Sequence, residues 1–226
     1  MKYNLLVIDP PYSFSDKLQM SDVARGAEAN YPILNDQDLL NLKIDELMAE
    51  DALVALWVPS SLLPLGLDLL NKWKFTHKQT YIWSKIKKDP LEKLKKSLLK
   101  NKDIDSMKEF IRQNMNDSYV NDILGFGMGH CFRNCHELAL IGTRGKILKN
   151  LKNKSQRTVS FSVNKRHSEK PEDLQNSLDL MFPDENLKRI EIFARRSRNN
   201  WTCVGFDSPD TLNIDVRESI DQLIAK

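Results

Sequence analysis

The sequence predicts an α/β fold, a mostly parallel, doubly wound sheet with a helical insertion, from three observations. Short apolar runs with many branched residues recur along the chain. They alternate with segments of helical periodicity. That rhythm breaks once, between residues 85 and 124. At 226 residues the chain is long enough for one sizeable domain that carries an insertion.

The strand candidates are Tyr3–Ile8, Ala52–Val58, Thr80–Trp83, Glu137–Gly142, Arg189–Phe193 and Trp201–Gly205, with Thr158–Val163 a further candidate. Leu5–Ile8 is continuously apolar, which fits a strand buried on both faces in a parallel sheet. Asp36–Met48 sets Leu39, Leu40, Ile44 and Leu47 at helical spacing behind Asn35, a suitable N-cap. Ser61–Trp73 follows a Val-Pro-Ser turn and reads as a second helix. Pro171–Met181 opens with proline at a first helical position and carries Leu174, Leu178 and Met181 on one face. Strands alternating with helices imply parallel pairing.

Residues 85–124 crowd Lys85, Lys87, Lys88, Lys93, Lys95, Lys96, Lys100 and Lys102 beside leucines at helical spacing. Two readings stand: a basic arm that touches phosphates, and a helical hairpin with a solvated lysine face. The catalytic domain is read as 1–206, insertion included, and 207–226 as a tail with a short helix at Val216–Ala225.

A net charge of +3 and 29% charged residues describe an ordinary, mildly basic globular chain and do not by themselves require a nucleic-acid partner. Three cysteines make no even disulfide framework, so a reducing cytoplasm is the expected compartment. The first strand begins almost at the N-terminus, with no signal peptide or long apolar span, so neither secretion nor membrane insertion is expected.

The chemistry concentrates where the first strand ends, in Asp9-Pro10-Pro11-Tyr12. In open α/β sheets ligands bind at the carboxyl ends of strands. Two prolines remove backbone donors but keep their carbonyls. An exocyclic amine donates two hydrogens, and Asp9 with the Pro10 carbonyl offers two acceptors. Tyr12 offers a ring on which a base can stack, worth about 1–3 kcal/mol. The plainer reading is a capping aspartate and a proline turn. His130, Cys131, Cys135 and His136 invite a zinc reading, but the spacing lacks the paired-ligand pattern, and no metal is expected.

Later segments narrow the reading. Residues 127–145 read Gly-Met-Gly-His-Cys-Phe-Arg-Asn-Cys-His-Glu-Leu-Ala-Leu-Ile-Gly-Thr-Arg-Gly, residues 166–171 Arg-His-Ser-Glu-Lys-Pro, and residues 189–195 Arg-Ile-Glu-Ile-Phe-Ala-Arg. Together with Asp9-Pro10-Pro11-Tyr12, Tyr31-Pro32, Leu56-Trp57-Val58, Trp201 and Gly205, this ordered set resembles the MT-A-seventy (MT-A70-like) family of adenine-N6 methyltransferases, bacterial and phage DNA type. The resemblance spans residues 4–84 and 125–206. Tyr12 stands where the family more often has Trp, the insertion is longer than the usual core, and Gly205-Phe206-Asp207 lacks the Asn that many members carry there.

The resemblance implies a Rossmann-like, AdoMet-dependent methyltransferase that methylates the N6 amino group of adenine in DNA, with S-adenosylmethionine (AdoMet) as donor. RNA is the alternative substrate. A catalytically silent subunit of a methyltransferase pair is a reading of another class, and a homodimer or such a pair is the expected assembly if one forms. The implied catalytic residues are Asp9, Pro10, Pro11 and Tyr12. Asp9, Ser168, Lys170, Glu191 and Arg195 are implied for the cofactor: Lys170, assisted by Ser168, for the AdoMet carboxylate, and Glu191 for the ribose. Tyr12, Tyr31, Trp57 and Lys85 are implied for the nucleic acid. Each has a structural counterpart. Lys170 reads equally as a surface lysine beside a helix cap, and Glu191 as half of an ion pair with Arg195. Tyr31 and Trp57 read equally as core, and Lys85 as a solvated strand end. His136 and Glu137 are read as residues that orient the wall of the active site.

Overall fold

The computed structural model describes residues 2–13, 34–88, 105, 109, 123–127, 129, 131–163 and 169–226. Most of the predicted insertion, and Tyr31, His130, His167 and Ser168, lie outside the described residues. The strands are β1 (Tyr3–Ile8), β2 (Met48–Val58), β3 (Thr76–Ile86), β4 (His136–Arg144), β5 (Val159–Val163), β6 (Arg189–Ile192) and β7 (Trp201–Val204). They form a seven-stranded sheet in the order β5-β3-β4-β2-β1-β6-β7. The chain divides into two compact units: Met1–Tyr81 with Leu138–Thr158 and Asp173–Lys226, and Ile82–Glu137 with Val159–Glu172.

In the first unit β1 is the central strand. It pairs in parallel with β2 on one side and β6 on the other, and β6 pairs in parallel with β7. Leu5, Leu6, Val7 and Ile8 are all buried, as expected of a strand covered on both faces. Leu6, Ile8, Val54, Leu56, Val58, Ile190 and Ile192 share one cluster with Leu39, Ile44, Leu47, Leu69, Leu70, Val216 and Ile220. These last come from α1 (Asp36–Leu40), α2 (Ile44–Leu47), α3 (Leu63–Lys72) and α5 (Val216–Ala225), which cover that face. α4 (Asp173–Met181) buries Leu174 and Leu178. The C-terminal tail therefore adds Val216 and Ile220 to the core, packing α5 against α2.

Several boundaries differ from the sequence reading. The helix expected over Asp36–Met48 is two helices. Asn35 caps α1 with a full capping box, the chain turns at Asn41–Lys43, and Met48 already belongs to β2. The apolar spacing survives the break because the turn lets Leu42 point inward as well. β2 and β3 run longer than their apolar cores, and Thr76–Gln79 are exposed, so no hydrophobic pattern marks that end. Pro171 precedes its helix by a turn; α4 begins at Asp173. The segment Ser61–Trp73 is a 3-10 turn at Ser60–Leu62 followed by α3. A Cβ on Gly66 would lie 3.0 Å from side-chain atoms of Val58 and Leu140, so glycine lets α3 sit close to β2 and β4.

The sheet is mostly parallel, but β4 runs antiparallel to β2, from Ala52↔Arg144 to Val58↔Leu138. A doubly buried strand has the same composition in either direction, so its sense is not legible in Leu-Ala-Leu-Ile. In the second unit the end of β3 pairs in parallel with β5, Ile82↔Val159 to Ile86↔Val163.

Arg144 ties β4 to the turn between α2 and β2. Its guanidinium donates to the carbonyls of Asp45, Met48, Ala49 and Trp73 and to the Asp45 carboxylate, and it lies 5.1 Å from the Phe75 ring centroid. Removing it orphans buried carbonyls. Arg144→Ala is expected to lower unfolding stability by roughly 3 kcal/mol or more, read by urea denaturation, with Arg144→Lys intermediate because a single ammonium cannot span the set.

Candidate active site

The carboxyl ends of β1 and β6 bring the first cluster together within the first unit. Asp9 follows the last residue of β1, and its backbone N–H reaches the Ile192 carbonyl at 3.4 Å. Beyond it the chain turns tightly: the Tyr12 N–H donates to the Pro10 carbonyl at 2.9 Å, closing a three-residue turn centred on Pro11. The Pro10 carbonyl expected to receive a ligand amine thus already accepts one bond. A carbonyl has a second lone pair, so the acceptor role is halved rather than removed.

Tyr12 is 5% exposed and its hydroxyl donates to the Trp57 carbonyl at 2.8 Å. Burial, and secondarily the charge of Asp9, holds its phenol well above the usual value. The ring is therefore a neutral brace between the Asp9 turn and β2, and it is packed in the core rather than presented as an open stacking face. Trp57 is 1% exposed and meets Tyr81 edge to face, with ring centroids 6.1 Å apart. It too packs as core.

Glu191 sits in β6 with Val7 of β1 and Cys203 of β7 as its register partners, both 1% exposed. Burial raises its carboxyl above the ordinary value. Gln175 opposes this through a side-chain hydrogen bond, Arg196 and Arg198 oppose it through charge, and Asp9 adds to it. The nearby Cys203 thiol is pushed up to about 11 by burial and by Glu191. Gln175 is 2% exposed on α4, and its Oε1 has no hydrogen-bond partner among the described residues. Sequence reasoning missed Gln175, Arg196 and Arg198. The available signal was Gln175, next to Leu174 on the face of a short helix that its leucines bury; its neighbour Asn176 lies off that face.

The second unit holds another cluster. Glu137 takes Lys85 on one oxygen at 2.5 Å and Lys170 on the other at 3.0 Å. Burial pushes the Glu137 carboxyl up, but the charges and hydrogen bonds of Lys170 and Lys85 outweigh it and hold the group below its ordinary value. Lys85 also lies 5.1 Å from the Trp83 ring centroid, and its side chain is only 23% exposed. It is thus an ion-paired, aromatic-backed group rather than a solvated strand end. Lys170, 16% exposed, precedes α4 as expected and shares its charge with Glu137. Among the described residues no group of three His, Cys, Asp or Glu is placed to hold a metal ion.

The two carboxylates at the end of β1 and in β6 suit a donor-rich ligand. Glu191 is penalised where it stands, and hydroxyl or ammonium donors would relieve it. Because its folded value is raised, the native state loses stability as pH rises from the ordinary value of 4.5 through the raised one. Glu191→Gln removes that penalty. Urea unfolding is expected to find the variant more stable than wild type at pH 7, with the two converging below pH 4.5.

Comparison with known proteins identifies a family. The MT-A70 family model matches residues 3–125 and 90–207. The chain is 22% identical, over 237 aligned positions, to the Type II methyltransferase M.MunI of Mycoplasma sp, covering 98% of this chain and 84% of the relative. No helix among the described residues is long and apolar enough to cross a membrane. A family match across most of the chain and a relative covering nearly all of it make this protein a methyltransferase, and it belongs to the MT-A70 family.

Proposed function

We propose that the protein transfers the methyl group of AdoMet to the N6 amino group of adenine in DNA. The observation that carries this reading is Asp9, a half-buried carboxylate held at the carboxyl end of the central strand by a proline turn and braced by Tyr12. AdoMet, when bound, supplies an electrophilic methyl group. The N6 lone pair of adenine is delocalised into its ring and attacks poorly. Asp9 accepts a hydrogen from the amine, and the remaining lone pair of the Pro10 carbonyl accepts the other. Both bonds favour a more tetrahedral nitrogen with its lone pair aimed outward. The rate gain comes from positioning and electrostatics, with no strong base needed. The methylated nitrogen is acidic and gives up its proton afterwards to water or to Asp9.

The residues present fit the donor. Glu191, disfavoured by burial and served by Gln175, suits ribose hydroxyls. Asp9 also suits the ammonium group. Lys170, with Ser168, is assigned to the donor's carboxylate, and Arg195 to the cofactor's surroundings. A base in a duplex must leave the stack to react. Tyr12 supports the Asp9 turn rather than stacking on the base, because its ring is buried.

Incubation with labelled AdoMet and adenine-containing DNA is expected to transfer label, and sequencing of the product should place N6-methyladenine at one motif. Asp9→Ala should reduce transfer by about 100-fold or more with the fold intact. Retained activity would remove Asp9 from the centre. Matched RNA oligonucleotides in competition decide the substrate, and transfer to RNA alone would replace DNA. Lys170→Ala should weaken AdoMet binding about tenfold by calorimetry, the loss of one charge-assisted contact. An unchanged affinity would release Lys170 from that role.

A further inference from the structure

An aromatic loop in the second unit is used by none of the chemistry above. Phe132 is 88% exposed and Phe126 is 72% exposed, and the guanidinium of Arg133 lies 5.1 Å from the Phe126 ring centroid. Scattered surface leucines are ordinary, whereas a nearly naked phenylalanine, followed in sequence by an arginine that covers a second exposed ring, is a surface made to be covered. The described residues here are tied to one another. Asn134 N–H donates to the Gly127 carbonyl at 3.1 Å, pairing the two sides as an antiparallel bridge. A Cβ on Gly127 would stand 2.6 Å from the Asn134 carbonyl oxygen, and one on Gly129 would strike the Phe132 carbonyl, so both positions need glycine. The base of the loop is fastened to one residue: Gly125 N–H donates to the Lys85 carbonyl and Lys85 N–H to the Cys135 carbonyl, each at 2.7 Å.

The chemistry on this surface is two flat rings and a planar cation, rooted on a strand end from which a lysine-rich sequence continues, eight lysines between Lys85 and Lys102. A protein partner would need a larger apolar area than two rings. Nucleic acid offers the complement of this set, bases to stack on the rings and phosphates to meet the cation. We infer that Phe126, Phe132 and Arg133 form a DNA-docking surface, in which Phe132 stacks on an exposed base and Arg133, steered by Phe126, meets a backbone phosphate. This rests on the function proposed above. An aromatic side chain can cover the face of any base that is left unstacked.

The test uses the full chain and a fluorescein-labelled, adenine-containing DNA, both duplex and single-stranded, that wild type methylates. Phe132→Ala is expected to weaken binding by anisotropy about tenfold, Phe132→Trp to restore it, and AdoMet affinity by calorimetry to stay unchanged. Arg133→Ala should weaken binding and reduce the slope of log affinity against log salt by about one. Undiminished DNA affinity of Phe132→Ala, in the presence of wild-type methylation, overturns the inference while leaving the proposed function standing. So does a change confined to self-association by light scattering, which would make the loop an interface between copies. A loss seen with RNA and not with DNA overturns DNA as the occupant. A wild type that methylates no DNA removes both the function and this role together.

Discussion

The structure turns on how β1 is made to stop. Leu5 to Ile8 are buried on both faces and paired on both sides, and nothing in an apolar strand of that kind limits its length. Pro10 and Pro11 do. Neither can donate to a neighbouring strand, so the ladder ends and the next polar groups, the Asp9 carboxylate and the Pro10 carbonyl, are left at the rim. The compact turn then returns the chain so that Tyr12 can reach the Trp57 carbonyl. A carboxylate beside a hydrophobic sheet is thereby fixed without being part of the sheet.

Glu191 completes the same logic from the neighbouring strand by a costlier route. It remains inside the pairing register, between Val7 and Cys203, and so carries a burial penalty. The surrounding residues offset part of it. Gln175 approaches from α4, and Arg196 and Arg198 follow the strand end, where Phe193 adopts a positive φ of 63°. A bulky residue in that left-handed region is uncommon and marks a backbone bent for a purpose other than pairing. Here the bend lies between the carboxylate and the arginines whose charges oppose its penalty.

Much of this was legible in the sequence. Tyr3–Ile8 and Val216–Ala225 were read with their observed limits, and the buried leucines of α1, α2 and α4 with their spacing, because continuous or periodic apolar residues report burial directly. The cluster at Asp9 was legible because proline chemistry is local. What escaped depends on atoms far apart in sequence. Nothing near Glu137 announces that one carboxylate will hold both Lys85 and Lys170. Nothing near Tyr12 says whether its ring faces a ligand or the core. The direction of β4 is hidden for the same reason, since pairing sense belongs to two strands and composition to one.

Lys85 illustrates a separation that sequence cannot display. Its backbone fastens Gly125 and Cys135, while its side chain serves Glu137 and Trp83. The first attachment is open to any residue with a backbone N–H, every one but proline, and the second depends on the side chain entirely. Selection can therefore retune the charge at this strand end without letting go of the loop that hangs from it, and loop and charge are free to diverge independently among relatives that share the same strand.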